Sequence, residues 1–506
     1  MNNALTAIKL LSNHHLIDGA LTRAGGATTL PVIDPATEDH IGEITDATAA
    51  EIERAVQVAN CAQRLWRKVN FHKRSELLHE AAHHMRQNRA LVAEMLTREM
   101  GKTYKESADE VTWSSTATDY FAEVSRHDAG KVVGPVVDGQ INFTTKDPVG
   151  VVVVVLPFNY PLCLLCWQVA AAVACGNTVI IKPSELTTTT TLKFVEAFNV
   201  LPPGVVQVLA GGGAVGKALV EHSKTHMVAF TGSVPTGRIV AEACARMYKR
   251  ALIETSGNDP FIVMPSAPLD VAARGAAFGA YLNCGQVCAA SERFYVHEAV
   301  YDEFVDKLAH YARQVRIGNG LGKVDMGPMG CERELKRYTT LLNRAKQEGG
   351  KIVVGGGRPM GLSKGFFADA TVMSEVAPES AILNTESFGP IAPVCRVRNF
   401  DEAIELANKS DYALGSTIYT LDLTESMRAV EELEAGMVWV NAPLLDNDAG
   451  PFGGRKQSGI GRQLGAEGLD SFRHTKFTMI DPAAKAHDFW WFPYSDAESY
   501  PGASKG

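Results

Sequence analysis

Nine cysteines are spread through the chain, at 61, 163, 166, 175, 244, 284, 288, 331 and 395. An odd, sparse set is not a disulfide framework, so a cysteine that matters here matters as a thiol in a reducing compartment. Cys288 has the surroundings for chemistry. It lies in NCGQVCAASER, a polar, glycine-bearing stretch just ahead of a strand, where a buried filler is an odd choice. A thiol there becomes a nucleophile if a base and an oxyanion donor converge on it, and is otherwise inert; the local sequence leaves both readings open. A thiol protease would need a partner histidine, and no motif ties any of the 14 histidines to Cys288. Cys163 and Cys166 form a CxxC inside an apolar helix with no second pair and no histidine nearby, which suits small core residues better than metal ligands.

Two glycine turns could receive a phosphate. VVQVLAGGGAVGKAL carries Gly211, Gly213 and Gly216 after a strand and at the start of a helix, where backbone N–H groups can meet a pyrophosphate. The same run mimics GxxxxGK, but Ala218 stands where a magnesium-binding Ser or Thr is required, so a P-loop is excluded. FTGSVPTGR (230–238) repeats the strand-to-helix logic with Gly232 and Ser233. Either turn alone could be an ordinary bend; two in one sheet point to a nucleotide site.

These groups need a scaffold, and 506 residues are too many for one core. Between Asp147 and Lys182 no residue is charged. Pro157 and Pro161 break that run around Asn159, so it reads as strand Val151–Leu156, a loop, a helix ending near Gly176 and strand Thr178–Ile181 rather than as a membrane span. Apolar β-branched runs at 151–156, 179–181, 205–209 and 227–230 alternate with helical stretches, the pattern of a parallel α/β sheet. A second alternating series follows Glu254, with strands expected at 293–296, 352–354 and 416–419 and helices at 300–317 and 402–408. Two α/β halves therefore meet near residue 255. The segment 139–145 reads as an exposed strand or arm. The charge sum, 49 basic against 57 acidic residues, gives −8 with no like-charged block. That lacks the basic footprint of a nucleic-acid or anionic-membrane binder. The start, MNNALTAIKLLSNHHL, is no signal peptide, and a cytoplasmic location is expected.

Seven blocks occur in order: PFNYP (157–161), GNTVIIKPSE (176–185), FTGS (230–233), Glu254 lying 34 residues before Cys288, GQVC (285–288), ESFGP (386–390) and PFGGRKQSGIGR (451–462). Together they resemble the aldehyde dehydrogenase superfamily, over about residues 20–480. The resemblance implies two Rossmann-like parallel-sheet α/β domains plus a small β oligomerisation arm. It divides the chain into an NAD-binding domain (1–125 and 149–255), a catalytic domain (256–460), the arm (126–148 and 470–484) and a C-terminal tail (485–506). By position, Cys288 is the nucleophile, Asn159 the oxyanion donor and Glu254 the base that activates water. Lys182, Ser184, Glu185, Gly212, Gly216, Phe230, Gly232, Ser233, Glu386 and Phe388 fall at cofactor positions. Glu185 favours NAD, since a carboxylate accepts ribose hydroxyls but repels a 2′-phosphate; Lys182 is compatible with NAD or NADP. No metal is expected. The resemblance also implies a homodimer or homotetramer.

Trp113, Tyr160, Cys163, Leu164, Trp167, Leu282, Val287, Asp446 and Phe452 match the family's substrate tunnel. No Arg or Lys is among them, so an anionic aldehyde lacks a partner, and a neutral aromatic or aliphatic aldehyde or a cationic amino aldehyde is expected. Two departures stand out: Thr255-Ser256 replace the usual residues after the base, and Gln463 stands where a Glu with a proposed proton-relay role commonly follows Gly-Arg. An acyl-CoA-forming enzyme would not use Glu254, so hydrolysis is favoured, and a catalytically silent binding protein on the same fold is the remaining alternative. The tail 487–502, with two of the six tryptophans, is expected to dock on a neighbouring subunit.

Overall fold

The computed structural model describes residues 3–127, 129–487 and 491–493. Five strands run parallel at its centre: Val206–Val208, Thr178–Lys182, Val151–Val155, Met227–Thr231 and Arg250–Glu254, in that spatial order. Val151–Val154 and all of Thr178–Lys182 are buried, so these strands read as continuous apolar runs rather than alternating ones. Antiparallel strands close both edges, with His14–Ile17 and Ala20–Arg23 on one side and Gly459–Ile460 on the other.

Strand order reverses between Val151–Val155 and Met227–Thr231. In open α/β sheets the crevice outside the carboxyl ends at such a reversal is where ligands sit. The loop after the first of these strands is 156–160 and carries Asn159. The turn after the second is Gly232-Ser233, followed by the helix Val234–Arg246.

A second sheet has the order Lys351–Val354, Thr371–Ser374, Ile391–Val397, Ser291–His297, Asp259–Val263, Thr417–Tyr419 and Trp439–Val440, all parallel except the first pair. Expected strands at 293–296, 352–354 and 416–419 are here; Asp259–Val263, Thr371–Ser374 and Ile391–Val397 were not foreseen. Asp259 and Pro260 disguise the first, because both are poor strand formers. The pair Gly459–Ile460 belongs to the other sheet: Ile253 pairs with Ile460 and Glu254 with Gly459. Glycine is required there, since a Cβ on Gly459 (φ +135°) would lie 2.1 Å from the Ile253 carbonyl oxygen.

Ile141–Pro148 pairs with Arg473–Ile480 over eight residue pairs, with Val132–Val133 on its other edge. Val132, Ile141, Phe477 and Met479 of this three-stranded arm are exposed. Most of the aromatic tail expected to dock on a neighbour lies outside the described residues. Among those described, no helix is long and apolar enough to cross a membrane, and no group of three or more His, Cys, Asp or Glu could hold a metal ion.

Candidate active site

The loop that leads into Cys288 is built on left-handed backbone. Asn283, Cys284 and Gly285 have φ of 51°, 58° and 73°. Two of the three carry a Cβ that disfavours this region, so neighbours must hold them. The Glu106 carboxylate accepts the Asn283 N–H at 2.7 Å, and the Asn283 side chain donates to the carbonyls of Asn159 (3.2 Å) and Gln286 (3.1 Å). Gln286 donates back to the Asn283 carbonyl at 3.0 Å and accepts the Gly330 N–H at 2.9 Å. Behind Cys288, a Cβ on Gly257 would lie 2.1 Å from the Cys288 carbonyl oxygen, so only glycine lets these two backbones meet.

Asn159 is buried, and a buried charge pair from another segment holds its loop. Lys102 Nζ donates to the Asn159 carbonyl at 2.5 Å and to Glu110 Oε2 at 2.6 Å, with both charged side chains fully buried. Glu110 Oε1 accepts the N–H groups of Leu162 and Cys163 at the start of the helix Pro161–Ala174, where a carboxylate meets the positive helix end. Lys102 also lies 3.8 Å over the Tyr160 ring. The Asn159 side-chain amide donates to the Gln286 carbonyl at 3.1 Å, which ties the expected oxyanion donor to the nucleophile loop.

Glu254 ends its strand beside Cys288. Burial is the main reason its carboxyl is pushed up to about 7, against the Cys288 thiol, Gln463 and Thr231, whose hydrogen bonding lowers it. Burial, and then the Glu254 charge, hold the Cys288 thiol well above its ordinary range. The resting pair is therefore a thiol beside a carboxyl poised to ionise near neutrality, the arrangement in which a base must take the proton before sulfur attacks.

Cys288 sits where two hollows meet. One is a cleft whose lining includes Asn159, Ser184, Glu185, Phe230, Gly232, Ser233, Glu386 and Phe388, with Thr231, Thr255, Ser256, Arg333 and Arg337. The other is a cavity of about 360 Å³ lined by all nine tunnel positions read from the sequence, together with Thr116, Phe278, Leu445 and Asp448. Cys288 is the residue common to both linings. Trp167 and Phe452 pack there with ring centroids 4.9 Å apart.

Three expected cofactor positions lie outside the cleft lining. Lys182 is paired with Glu185 at 3.8 Å, and a Cβ on Gly216 would sit 3.8 Å from the Lys182 side chain, so these two are neighbours of each other. The Gly212 N–H donates to Asp46 Oδ1 at 2.8 Å. A carboxylate of the chain itself thus meets the N-cap N–H of the helix Gly213–Val220, at the turn where the glycine pattern suggested a pyrophosphate. The helix Val234–Arg246 differs: its N-cap Ser233 makes no capping bond from its side chain, and Gly232, Ser233 and Thr236 at its start line the cleft. A Cβ on Gly232 would lie 2.7 Å from the Phe230 ring, so the turn needs glycine. With Glu185 in the same lining, this end of the cleft fits the ribose and phosphates of a dinucleotide.

Several residues of the site were not singled out in the sequence. Glu292 accepts from Ser387 N (2.9 Å), Ser387 Oγ (2.9 Å) and Phe388 N (2.8 Å), and Arg337 donates to the carbonyls of Glu386 and Ser387. Together they clamp the loop on which Phe388 sits at φ +46°. Gln168 and Thr231 join Gln463 around Glu254. Gln168 had a legible signal, as the one strongly polar side chain inside an otherwise apolar helix. Glu292 and Arg337 had none, since each is an ordinary charged residue until the fold brings it to residues 386–388.

Residues 22–478 match the model of the aldehyde dehydrogenase family. The chain is 34% identical to a 3-sulfolactaldehyde dehydrogenase of Pseudomonas putida, over 93% of this chain and 97% of that protein. Among solved structures it resembles a betaine aldehyde dehydrogenase of Staphylococcus aureus in complex with NAD+ (TM-score 0.93, 30% identity, 97% and 99% coverage). It also resembles a 3,6-anhydro-L-galactose dehydrogenase (TM-score 0.90, 35% identity, 93% and 100% coverage). The chain belongs to the aldehyde dehydrogenase family and is an oxidoreductase that acts on aldehydes with a nicotinamide dinucleotide.

Proposed function

We propose that the protein oxidises an aldehyde to the carboxylic acid through a covalent intermediate on Cys288, hydrolysed by water that Glu254 activates. The observation that carries this reading is the place of Cys288 as the residue shared by the dinucleotide-fitting cleft and the aromatic cavity, with Glu254 beside it. Glu254 takes the thiol proton, and sulfur adds to the carbonyl carbon to give a thiohemiacetal. The Asn159 amide and the Cys288 N–H stabilise the oxyanion. The bound dinucleotide supplies the acceptor for the hydride. Glu254 gives the thiol proton up to solvent, and the Cys288 thioester is then cleaved by water whose proton Glu254 accepts and returns to the leaving sulfur, releasing the acid and the thiol. Ser233 and Glu185 bind the phosphate and ribose end, with NAD preferred, and Glu386 and Phe388 position the nicotinamide end. With Glu254 beside the sulfur, hydrolysis is favoured over transfer to CoA.

Among the described residues, the cavity is lined by Trp113, Tyr160, Trp167, Phe278 and Phe452 and two carboxylates, Asp446 and Asp448, and by no Lys, Arg or His. A sulfonate or carboxylate on the substrate would find no cation there. A neutral aromatic or medium aliphatic aldehyde fits the rings, and an amino aldehyde adds attraction to the two aspartates. Lys102 already covers one face of Tyr160, so a substrate cation is better met by carboxylate than by that ring. Steady-state rates with NAD for benzaldehyde, 3-aminopropanal and succinate semialdehyde test this. Either of the first two should exceed the third by at least about tenfold, the worth of one 1.4 kcal/mol interaction. Cys288→Ala should abolish NADH formation; full activity of that variant, or acyl-CoA in place of free acid, overturns the mechanism. The exposed apolar residues of the three-stranded arm support assembly as a homodimer or homotetramer.

A further inference from the structure

Glu254 is held from behind by uncharged groups. Gln463 and Gln168 are fully enclosed, at 1% and 0% exposure. Gln168 Nε2 donates to Gln463 Oε1 at 3.2 Å and to Thr231 Oγ1 at 3.0 Å. Gln463 Nε2 then donates to Glu254 Oε2 at 2.7 Å, and the Thr231 hydroxyl donates to the same oxygen at 3.4 Å.

The direction of every bond follows from the first. With both contacts of Gln168 made by its NH₂, Gln463 must present its own NH₂ to the carboxylate and Thr231 must turn its hydroxyl the same way. Gln168 gives up its carbonyl for this, since Gln168 Oε1 has no partner. Two donor chains thus converge on Oε2. The other oxygen, Glu254 Oε1, is also buried and, among the described residues, accepts no N–H or hydroxyl; on its open side the carboxylate faces the Cys288 thiol.

From this asymmetry we infer that Gln463, oriented by Gln168, is the positioning residue that locks Glu254 Oε2 and leaves Oε1 as the oxygen that receives protons. The inference rests on the reading of Glu254 as the base. Gln463 reaches further still: its backbone N–H and carbonyl both pair with Phe452 at 2.7 Å, and Phe452 lines the aromatic cavity. Gln168 is carried by the same helix as Cys163, Leu164 and Trp167. The base is therefore indexed to the walls that hold the aldehyde. No ionisable group takes part in the chain behind it. The titratable neighbours that act on Glu254 are Cys288 from the nucleophile loop and Asp446 from the loop at the cavity wall, and Asp259 and Glu386 act on Cys288 in turn.

Acetylation of Cys288 by p-nitrophenyl acetate tests the inference without aldehyde or dinucleotide. The thiol takes the acetyl group as p-nitrophenolate leaves, and water later releases acetate. Loss of the acetyl group, followed by intact mass from pH 5 to 10, reports the base alone. In the unaltered protein it should rise with a midpoint near 7, as Glu254 ionises. Gln463→Leu removes a donor to a charged oxygen and should move that midpoint up by about one to two pH units. The rate at pH 7 then falls by about five- to fiftyfold, while the high-pH plateau stays within about threefold. Gln463→Glu, which sets a second carboxylate against the first, should move it at least as far. Gln168→Met should move it in the same direction by less, and guards against a folding failure of the other two. An unmoved midpoint, or an equal loss at every pH, overturns the inference. If no adduct forms on Cys288, its reading as the nucleophile falls, and if Glu254→Gln decays as the unaltered protein does, the reading of Glu254 as base falls; either outcome takes this inference with it.

Discussion

Replacing Glu254 by Gln separates the two halves of the proposed reaction. The carboxyl is raised from 4.5 to about 7, mainly by burial. About a tenth of it is ionised at pH 6 and about nine tenths at pH 8, so the hydrolytic step should rise about tenfold across that range. A glutamate with its ordinary value would be ionised throughout and give no such limb. The sign follows from a raised acid: the base form is gained as pH rises through 7. In Glu254→Gln the limb should vanish, and turnover should fall by about 10²–10⁴, the usual worth of general-base catalysis. The thiol responds in the opposite sense. The Glu254 charge and hydrogen bond both raise Cys288, so their removal makes the thiolate easier to form. Thioester formation should persist at alkaline pH while hydrolysis does not. Stopped-flow NADH absorbance reads both steps, the first as a burst near one equivalent per site and the second as the slow phase that follows. Turnover within about threefold of the parent with its pH limb intact would refute the assignment.

Two further outcomes follow from the buried charges and the cleft. Lys102→Met leaves Glu110, at 0% exposure, with its two backbone N–H donors but no countercharge, and breaking such a buried pair costs about 3–5 kcal/mol. Urea unfolding should show it, with Lys102→Met/Glu110→Gln closer to the parent; equal loss in both would mean that packing, not charge, sets the cost. Glu185→Ala removes the carboxylate that opposes a 2′-phosphate, so kcat/KM for NADP relative to NAD should rise at least about tenfold, and an unchanged ratio would assign the preference to another residue.

Much of the site was legible because its residues lie in short, continuous motifs. A strand, a Pro-bounded loop and a helix could be read from 151–174, and Asn159 was conspicuous as the polar residue in that loop. The same holds for Gly232-Ser233 at the start of a helix. What stayed hidden joins distant segments. Gln463 and Glu254 are 209 positions apart, Gln168 and Gln463 295, and Glu292 and Ser387 95. Glu292 and Ser387 read locally as ordinary polar residues, and although Glu254, Gln463 and Gln168 each stand out, no short stretch shows that they pair. The glycine-rich turn at 211–216 has a partner its pattern does not show: Asp46, 166 positions away, accepts the Gly212 N–H.

The sequence by itself determined the alternation of strands and helices and the two α/β halves, because these follow from periodicity and turn chemistry; the candidate nucleophile and the side chains expected around it came from seven ordered motif blocks and the resemblance they carry. Tertiary structure alone decided that Cys288 would stand where the cleft meets the cavity, that burial would bring Glu254 to about 7, and that Gln463 would hold one of its oxygens while the other, among the described residues, accepts no N–H or hydroxyl. The physical reason is that desolvation and hydrogen-bond direction are properties of what the folded chain packs around a group, and no short stretch of sequence contains them.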